Sequence, residues 1–151
     1  DALEAAGVRG RAIGELQRSG SIQVQGRTVT LSDVSVPKRG QSMAFVMDTR
    51  WCEAALRLAR GVDLLVCEST YLQSEAREAR ERGHMTAREA GRLAREAGAR
   101  RLVLTHFSQR HPSEQVFLDE ALAEHDDVVA ARDGLVVPVP GREVGSAGER
   151  A

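Results

Sequence analysis

Three short apolar runs in this chain each deliver a chemically capable residue to their end. Gln41-Ser-Met-Ala-Phe-Val-Met-Asp48-Thr49-Arg50 ends on a carboxylate, Leu64-Leu-Val-Cys-Glu68-Ser69-Thr70-Tyr71 on a second, and Arg101-Leu-Val-Leu-Thr105-His106 on an imidazole. Continuous apolar runs of this length read as strands buried on both faces, and the C-terminal strand ends of an α/β sheet are where such folds place chemistry. Asp together with His is a donor set that suits zinc. A fourth segment, Gly83-His84-Met85-Thr86, stands just ahead of a helical pattern. The feature therefore constrains both fold class and site: an α/β architecture with Asp48, Glu68 and His106 gathered at one edge.

The stretches between the runs support this alternation. A short helix is predicted over residues 11–18 with Gly20 as its stop, then two β pieces at 21–24 and 27–31 around a Gln25-Gly26 turn. Trp51, Ala54, Ala55, Leu58 and Ala59 carry a helical stripe closed by Gly61. Ser74 is placed to cap a polar helix over 75–82, and Thr86 with Glu89 forms a capping box for the next helix, which ends at Gly98. Ser113 caps a further helix to Ala123, with Val116, Phe117, Ala121 and Leu122 as its buried side. Two short strands are expected at 127–131 and 134–138, around a turn at Arg132-Asp133-Gly134.

Composition narrows the function classes. The chain has 151 residues and a formal net charge of -1, which advertises no global attraction to nucleic acid. Its basic residues are 20 Arg and the single Lys38, so any phosphate contact must come from local clusters such as Lys38-Arg39 or Arg100-Arg101. No apolar run approaches the roughly 20 residues of a membrane span, and no signal-peptide pattern opens the chain. Cys52 and Cys67 form no C-x-x-C pair, which argues against a thiolate metal site and fits a cytoplasmic protein. The opening Asp1-Ala-Leu-Glu-Ala-Ala6 suggests a chain that begins inside a larger one.

Each candidate residue has two readings. Asp48, a charge beside an apolar strand, needs a cation or several donors; a metal supplies the first, and capping of the helix after Trp51 supplies the second. His106 is either a metal ligand, whose other nitrogen then needs a partner, or a core histidine with satisfied bonds. His84, before a helix N-terminus, is placed to give a proton to a leaving oxygen while free backbone N–H groups hold a phosphate; the alternative is an isolated surface histidine. Glu68 orients a ligand from behind or bonds its own turn. Arg110 offers a fork for phosphate or is a solvated charge.

The order of these motifs is more specific than any one of them. Asp48-Thr49-Arg50, Glu68-Ser69-Thr70-Tyr71, His84-Met85-Thr86 and Thr105-His106-Phe107-Ser108-Gln109-Arg110 resemble the C-terminal half of ribonuclease Z, the tRNA 3′-processing endonuclease of the metallo-β-lactamase superfamily. The resemblance runs from Gly7 to about Pro140. It implies an α/β fold that is the second half of an αββα sandwich, a mixed sheet with helices on one face, over residues 1–140; the residues from Gly141 to the end, 141–151, read by themselves as a disordered tail. It implies Asp48 as a carboxylate bridging two Zn2+ ions, His106 as a ligand to one of them, and His84 as the catalytic histidine near the scissile phosphate. Thr86 and Arg110 become candidate phosphate contacts. Precursor tRNA as substrate and a homodimer are further implications.

Three positions depart from the family pattern: Met85 where Ser is usual, Trp51 where Pro is common, and His111 where Tyr is usual. The family's His-x-His-x-Asp-His motif is absent from the sequence. Asp48 and His106 alone do not supply the three or four protein ligands that each zinc wants. The expectation is thus an incomplete site without nuclease activity of its own, and a missing N-terminal half that covers the open sheet face. Two rival enzymes of the superfamily, arylsulfatase-like or phosphodiesterase-like, remain. So do a receiver-like phosphoacceptor module with Asp48 as acceptor, and a degenerate half-domain that only dimerises.

Overall fold

The computed structural model describes residues 2–37 and 40–142, and among them the three apolar runs become neighbouring strands. The chain falls into two compact units, residues 1–39 and 40–151.

The first unit holds helix α1 (Ala2–Ala5), helix α2 (Arg11–Ser19), the strands β1 (Ser21–Val24) and β2 (Arg27–Thr30), and one helical turn, α3 (Leu31–Val34). Gly20 ends α2 in the left-handed conformation, as expected. The β1–β2 hairpin turns on Gln25 and Gly26, both at positive φ, the conformation that two-residue hairpin loops require. Val8, Leu16 and Val29 form its small core.

The second unit carries the motifs. Strands β3 (Met43–Val46), β4 (Leu64–Glu68), β5 (Arg101–Thr105) and β6 (Val128–Ala130) form a four-stranded sheet in sequential order. Every pairing in it is parallel, so the expected mixed sheet is corrected to an all-parallel one. Its crossovers run through α4 (Glu53–Ala59), a 3-10 turn with α5 (Ala76–Arg82) and α6 (Ala87–Ala97), and α7 (Gln115–Leu122). Sequential order without a reversal leaves no topological switch point, which removes the doubly wound receiver-like reading.

One face of the sheet is buried under the helices. Ala44, Val46, Leu65, Cys67, Leu102 and Leu104 point into a single core with Leu93 of α6 and Phe117 of α7. The other face is open at β3, where Met43 and Phe45 are 60% and 57% exposed. The β3 run is thus buried on one side only, unlike β4, whose continuous apolar reading was correct. Helix α7 likewise buries Phe117 and Ala121 but leaves Val116 and Leu122 exposed. Helices α6 and α7 cross at Gly91, where an added Cβ would lie 2.7 Å from the carbonyl oxygen of Ala121. Gly91→Ala is expected to destabilise the fold by about 1–3 kcal/mol, despite the better helix propensity of Ala, and a urea melt measures it.

Strand 134–138 does not form: after the turn at Gly134, which sits at φ 80, the segment pairs with no strand among the described residues, and Pro138 and Pro140 offer no N–H to extend one. The segment instead runs past the N-terminal ends of the strands. Arg101 Nη1 donates to the Pro138 carbonyl at 3.2 Å, and Gln41 Nε2 to that of Val139 at 2.7 Å. Arg142 Nε then reaches both oxygens of fully buried Asp63 at 2.8 Å. Gly141 and Arg142, the first residues of the expected disordered tail, are bonded to Arg100 and Asp63 in the turns that precede β5 and β4; residues 143–151 lie outside the described residues.

Burial works against an ionised Asp63, but Arg142, the Ser42 N–H and Arg100 outweigh it and hold the carboxyl well below the ordinary range. A carboxyl with a depressed folded pKa contributes stability that is complete above its unfolded pKa, near about 3.9, and is lost as pH falls below it. Melting temperature is therefore expected to fall as pH drops below about 4. In Asp63→Asn it should be lower already at neutral pH, with a shallower acid decline, which thermal scans across pH would show.

Candidate active site

Strand ends in a parallel sheet lie side by side, and the register here pairs Cys67 with both Val46 and Leu104. Asp48 and His106, each just beyond its strand, consequently meet on either side of Glu68. Both leave the sheet through the left-handed region, Asp48 at φ 48 and His106 at φ 59. Such backbone costs about 1–2 kcal/mol for a non-glycine residue and clusters at functional sites.

His106 Nε2 lies 3.3 Å from Asp48 Oδ1. His84 joins them from the loop after α5, its ring 5.4 Å from that of His106. One ligand atom each from Asp48, His84 and His106 falls within 4.8 Å of the others, the single such group of three among the described residues. Atoms bound tetrahedrally to one zinc at about 2.0–2.1 Å stand about 3.3–3.4 Å apart. The Asp48–His106 separation matches such a pair, and His84 stands within 4.8 Å of both, so the set could contribute donors to one such ion. It does not complete two.

Glu68 is the hub beneath. It is fully buried and accepts from the backbone N–H of Thr49 and of Met85, from the Thr70 hydroxyl at 2.8 Å, and from His84 Nδ1 at 3.0 Å. A buried carboxylate needs this saturation. Thr70 Oγ also lies 2.8 Å from His106 Nδ1. Glu68 therefore holds the His84 ring directly and the His106 ring through Thr70, leaving the Nε2 of each for chemistry. Thr70 carried no role in the sequence reading; its one signal was its place two residues beyond Glu68.

Three expectations change. Asp48 does not cap the next helix, which starts at Glu53 with Cys52 ahead of it. Thr86 is fully buried. Its hydroxyl accepts from the Glu89 N–H at 3.1 Å and lies 3.1 Å from Gln73 Oε1, so it closes the expected capping box and presents nothing to a phosphate. The N–H groups of Thr86 and Ala87 are taken by Glu89 and the Tyr71 carbonyl, so this helix start is not an open anion cradle.

Arg110 places its fork on Glu78, at 2.8 and 2.9 Å, and its guanidinium 5.8 Å from the Tyr71 ring centre. That bond holds the Glu78 carboxyl down to about 2, and a phosphate would have to displace it. Arg100 and Arg101 are tied to Asp63 and Asp127, at the opposite end of the strands from the site. Lys38 and Arg39 lie outside the described residues.

Comparison with known proteins agrees with this geometry. A family model described as a beta-lactamase superfamily domain matches residues 6–107. "Ribonuclease Z" of Salinispora arenicola is 53% identical over 97% of this chain and 48% of its own length; that of Nocardia farcinica is 51% identical over 94% and 47%. The chain thus spans about half the length of the curated relatives it matches. Among solved structures, the metallo-beta-lactamase fold protein YhfI from Bacillus subtilis aligns with a TM-score of 0.58 at 27% identity, over 63% of this chain and 39% of that one. Human tRNase Z, short form, aligns at 0.52 and 29%, over 75% and 37%. A parallel sheet under one helical layer, an Asp-His-His cluster at its strand ends and these relatives agree: the chain belongs to the beta-lactamase superfamily, and within it is similar to ribonuclease Z.

Proposed function

We propose that this chain is the C-terminal half of a zinc-dependent endoribonuclease that removes the 3′ trailer from precursor tRNA. The observation that carries the reading is the convergence of Asp48, His84 and His106 within 4.8 Å, in a chain 53% identical to a ribonuclease Z over almost its whole length. When bound, zinc would lower the pKa of a water and stabilise charge on the phosphate. Asp48 and His106 would hold it, Asp48 having a second oxygen free to bridge.

His84 would give a proton to the leaving 3′ oxygen from Nε2. Its Nδ1–H is directed at Glu68, which fixes the ring and leaves Nε2 facing the site. Arg110 would reach the RNA backbone on release from Glu78. The remaining ligands would come from an upstream half, which would also cover the open face at Met43 and Phe45. Precursor tRNA as substrate, a cytoplasmic setting and a homodimer are supported by the resemblance to ribonuclease Z. Among the described residues no helix is long and apolar enough to cross a membrane.

The test is zinc content and cleavage measured together. After dialysis against trace zinc, the 151-residue chain should retain almost none and leave precursor tRNA intact. Supplied with the upstream half of a ribonuclease Z, it should bind zinc and release the trailer. Tight stoichiometric zinc on the chain alone would overturn the divided site. Cleavage of an aryl sulfate or a small phosphodiester in preference to precursor tRNA would favour the rival hydrolases.

A further inference from the structure

Thr70 has one hydroxyl proton and two close partners, and this decides the state of His106. Glu68 Oε2 lies 2.8 Å from Thr70 Oγ and His106 Nδ1 lies 2.8 Å from the same oxygen. An ionised carboxylate only accepts. Glu68 already accepts an N–H on each oxygen, from Thr49 on Oε1 and from Met85 on Oε2, within a fully buried site. The Thr70 proton is therefore committed to Glu68. His84 Nδ1, at 3.4 Å from the hydroxyl, is nearer to both Glu68 oxygens, at 3.1 and 3.0 Å, and does not compete for it.

We propose that Thr70 is a positioning residue that sets the tautomer of His106. With its proton given to Glu68, its oxygen accepts from Nδ1–H of His106, and Nε2 is left as a lone pair facing Asp48 Oδ1 across 3.3 Å. A neutral imidazole can carry its proton on either nitrogen, and the hydrogen bond made by one selects the other for a ligand. Here a lone pair and a carboxylate oxygen face each other with no proton between them, an arrangement that a cation relieves. Glu68 thereby controls both histidines by different routes: His84 by direct contact, His106 through one hydroxyl. The tautomer follows from the contacts alone; its consequence for zinc rests on the reading of His106 as a ligand.

The experiment is long-range proton–nitrogen correlation NMR on the metal-free, 15N-histidine-labelled chain, at a pH where His106 is neutral. The wild type should show a pyrrole-type Nδ1 and a pyridine-type Nε2 at His106. Thr70→Val keeps the shape without the hydroxyl and should move the proton toward Nε2; Thr70→Ser should keep the wild-type pattern. A zinc titration of the same variants, each supplied with the upstream half of a ribonuclease Z, should show binding weakened about 10- to 100-fold in Thr70→Val and little changed in Thr70→Ser. A wild-type ring protonated at Nε2, or an unchanged tautomer in folded Thr70→Val, overturns the proposal whatever the zinc result. If Thr70→Val does not fold, wild type and Thr70→Ser decide: a protonated Nδ1 in both sustains the proposal, and its loss in Thr70→Ser overturns it. A shifted tautomer with unaltered zinc affinity sustains Thr70 as the positioning residue and overturns His106 as the ligand.

Discussion

Asp48→Asn is expected to lower the zinc-dependent cleavage rate of the completed protein by about 10³-fold, while leaving the fold of this chain intact. The charge lost is the anionic member of the proposed metal set, and metal-centred charge stabilisation amounts to several kcal/mol, each 1.36 kcal/mol being tenfold in rate. The fold has little to lose. The Asp48 side chain is 70% exposed and its contact with His106 is half in solvent, where even a full ion pair contributes only about 0–1 kcal/mol. Asn also tolerates the left-handed backbone at φ 48. Urea melts of the chain should therefore be superimposable within about 0.5 kcal/mol, while single-turnover cleavage collapses. A variant that cleaves at near wild-type rate would remove Asp48 from the metal set.

Glu68→Ala should behave in the opposite way, failing first as a fold. It removes the acceptor from the Thr49 and Met85 N–H groups, the Thr70 hydroxyl and His84 Nδ1 in one step, inside a fully buried site. Orphaned buried donors cost about 1–3 kcal/mol each; with water entering the cavity, a net loss of about 3–5 kcal/mol is expected, in line with breaking a buried charged network. Equilibrium urea denaturation measures this directly. Glu68→Gln should fall between, since its carbonyl still accepts while its NH2 confronts the donors. A stability within about 0.5 kcal/mol of wild type in Glu68→Ala would mean that the hub is not holding the strand ends.

The contrast between these two carboxylates marks what was legible from residues alone. Both ended apolar runs and both were assigned to the site, yet nothing in either run distinguished the exposed carboxylate from the buried one. The distinction comes from the partners. Asp48 turns outward through a left-handed residue, whereas Glu68 is still the last residue of β4, flanked by two strands. The burial of Thr86, weighed as a phosphate contact, was hidden for a related reason. Its capping box was readable from Thr86 and Glu89, but its burial followed from Tyr71, whose carbonyl takes the Ala87 N–H at 2.8 Å, and from Gln73.

The sequence by itself determined the local elements and their chemistry. Apolar runs specified β4 and β5, glycines at positive φ ended α2, α5 and α6, and the order of the Asp, Glu and His motifs identified the superfamily. These are short-range properties, set by backbone sterics and by side-chain period. Only the tertiary structure decided that the sheet is all parallel, that β3 bares one face, that 134–138 runs as a strap anchored by Arg142 to Asp63 rather than as a strand, and that Thr70 links the two histidines. Each of these depends on which groups meet across 14 to 79 residues of chain, and the competition of donors for a buried acceptor is settled only when those groups share a site.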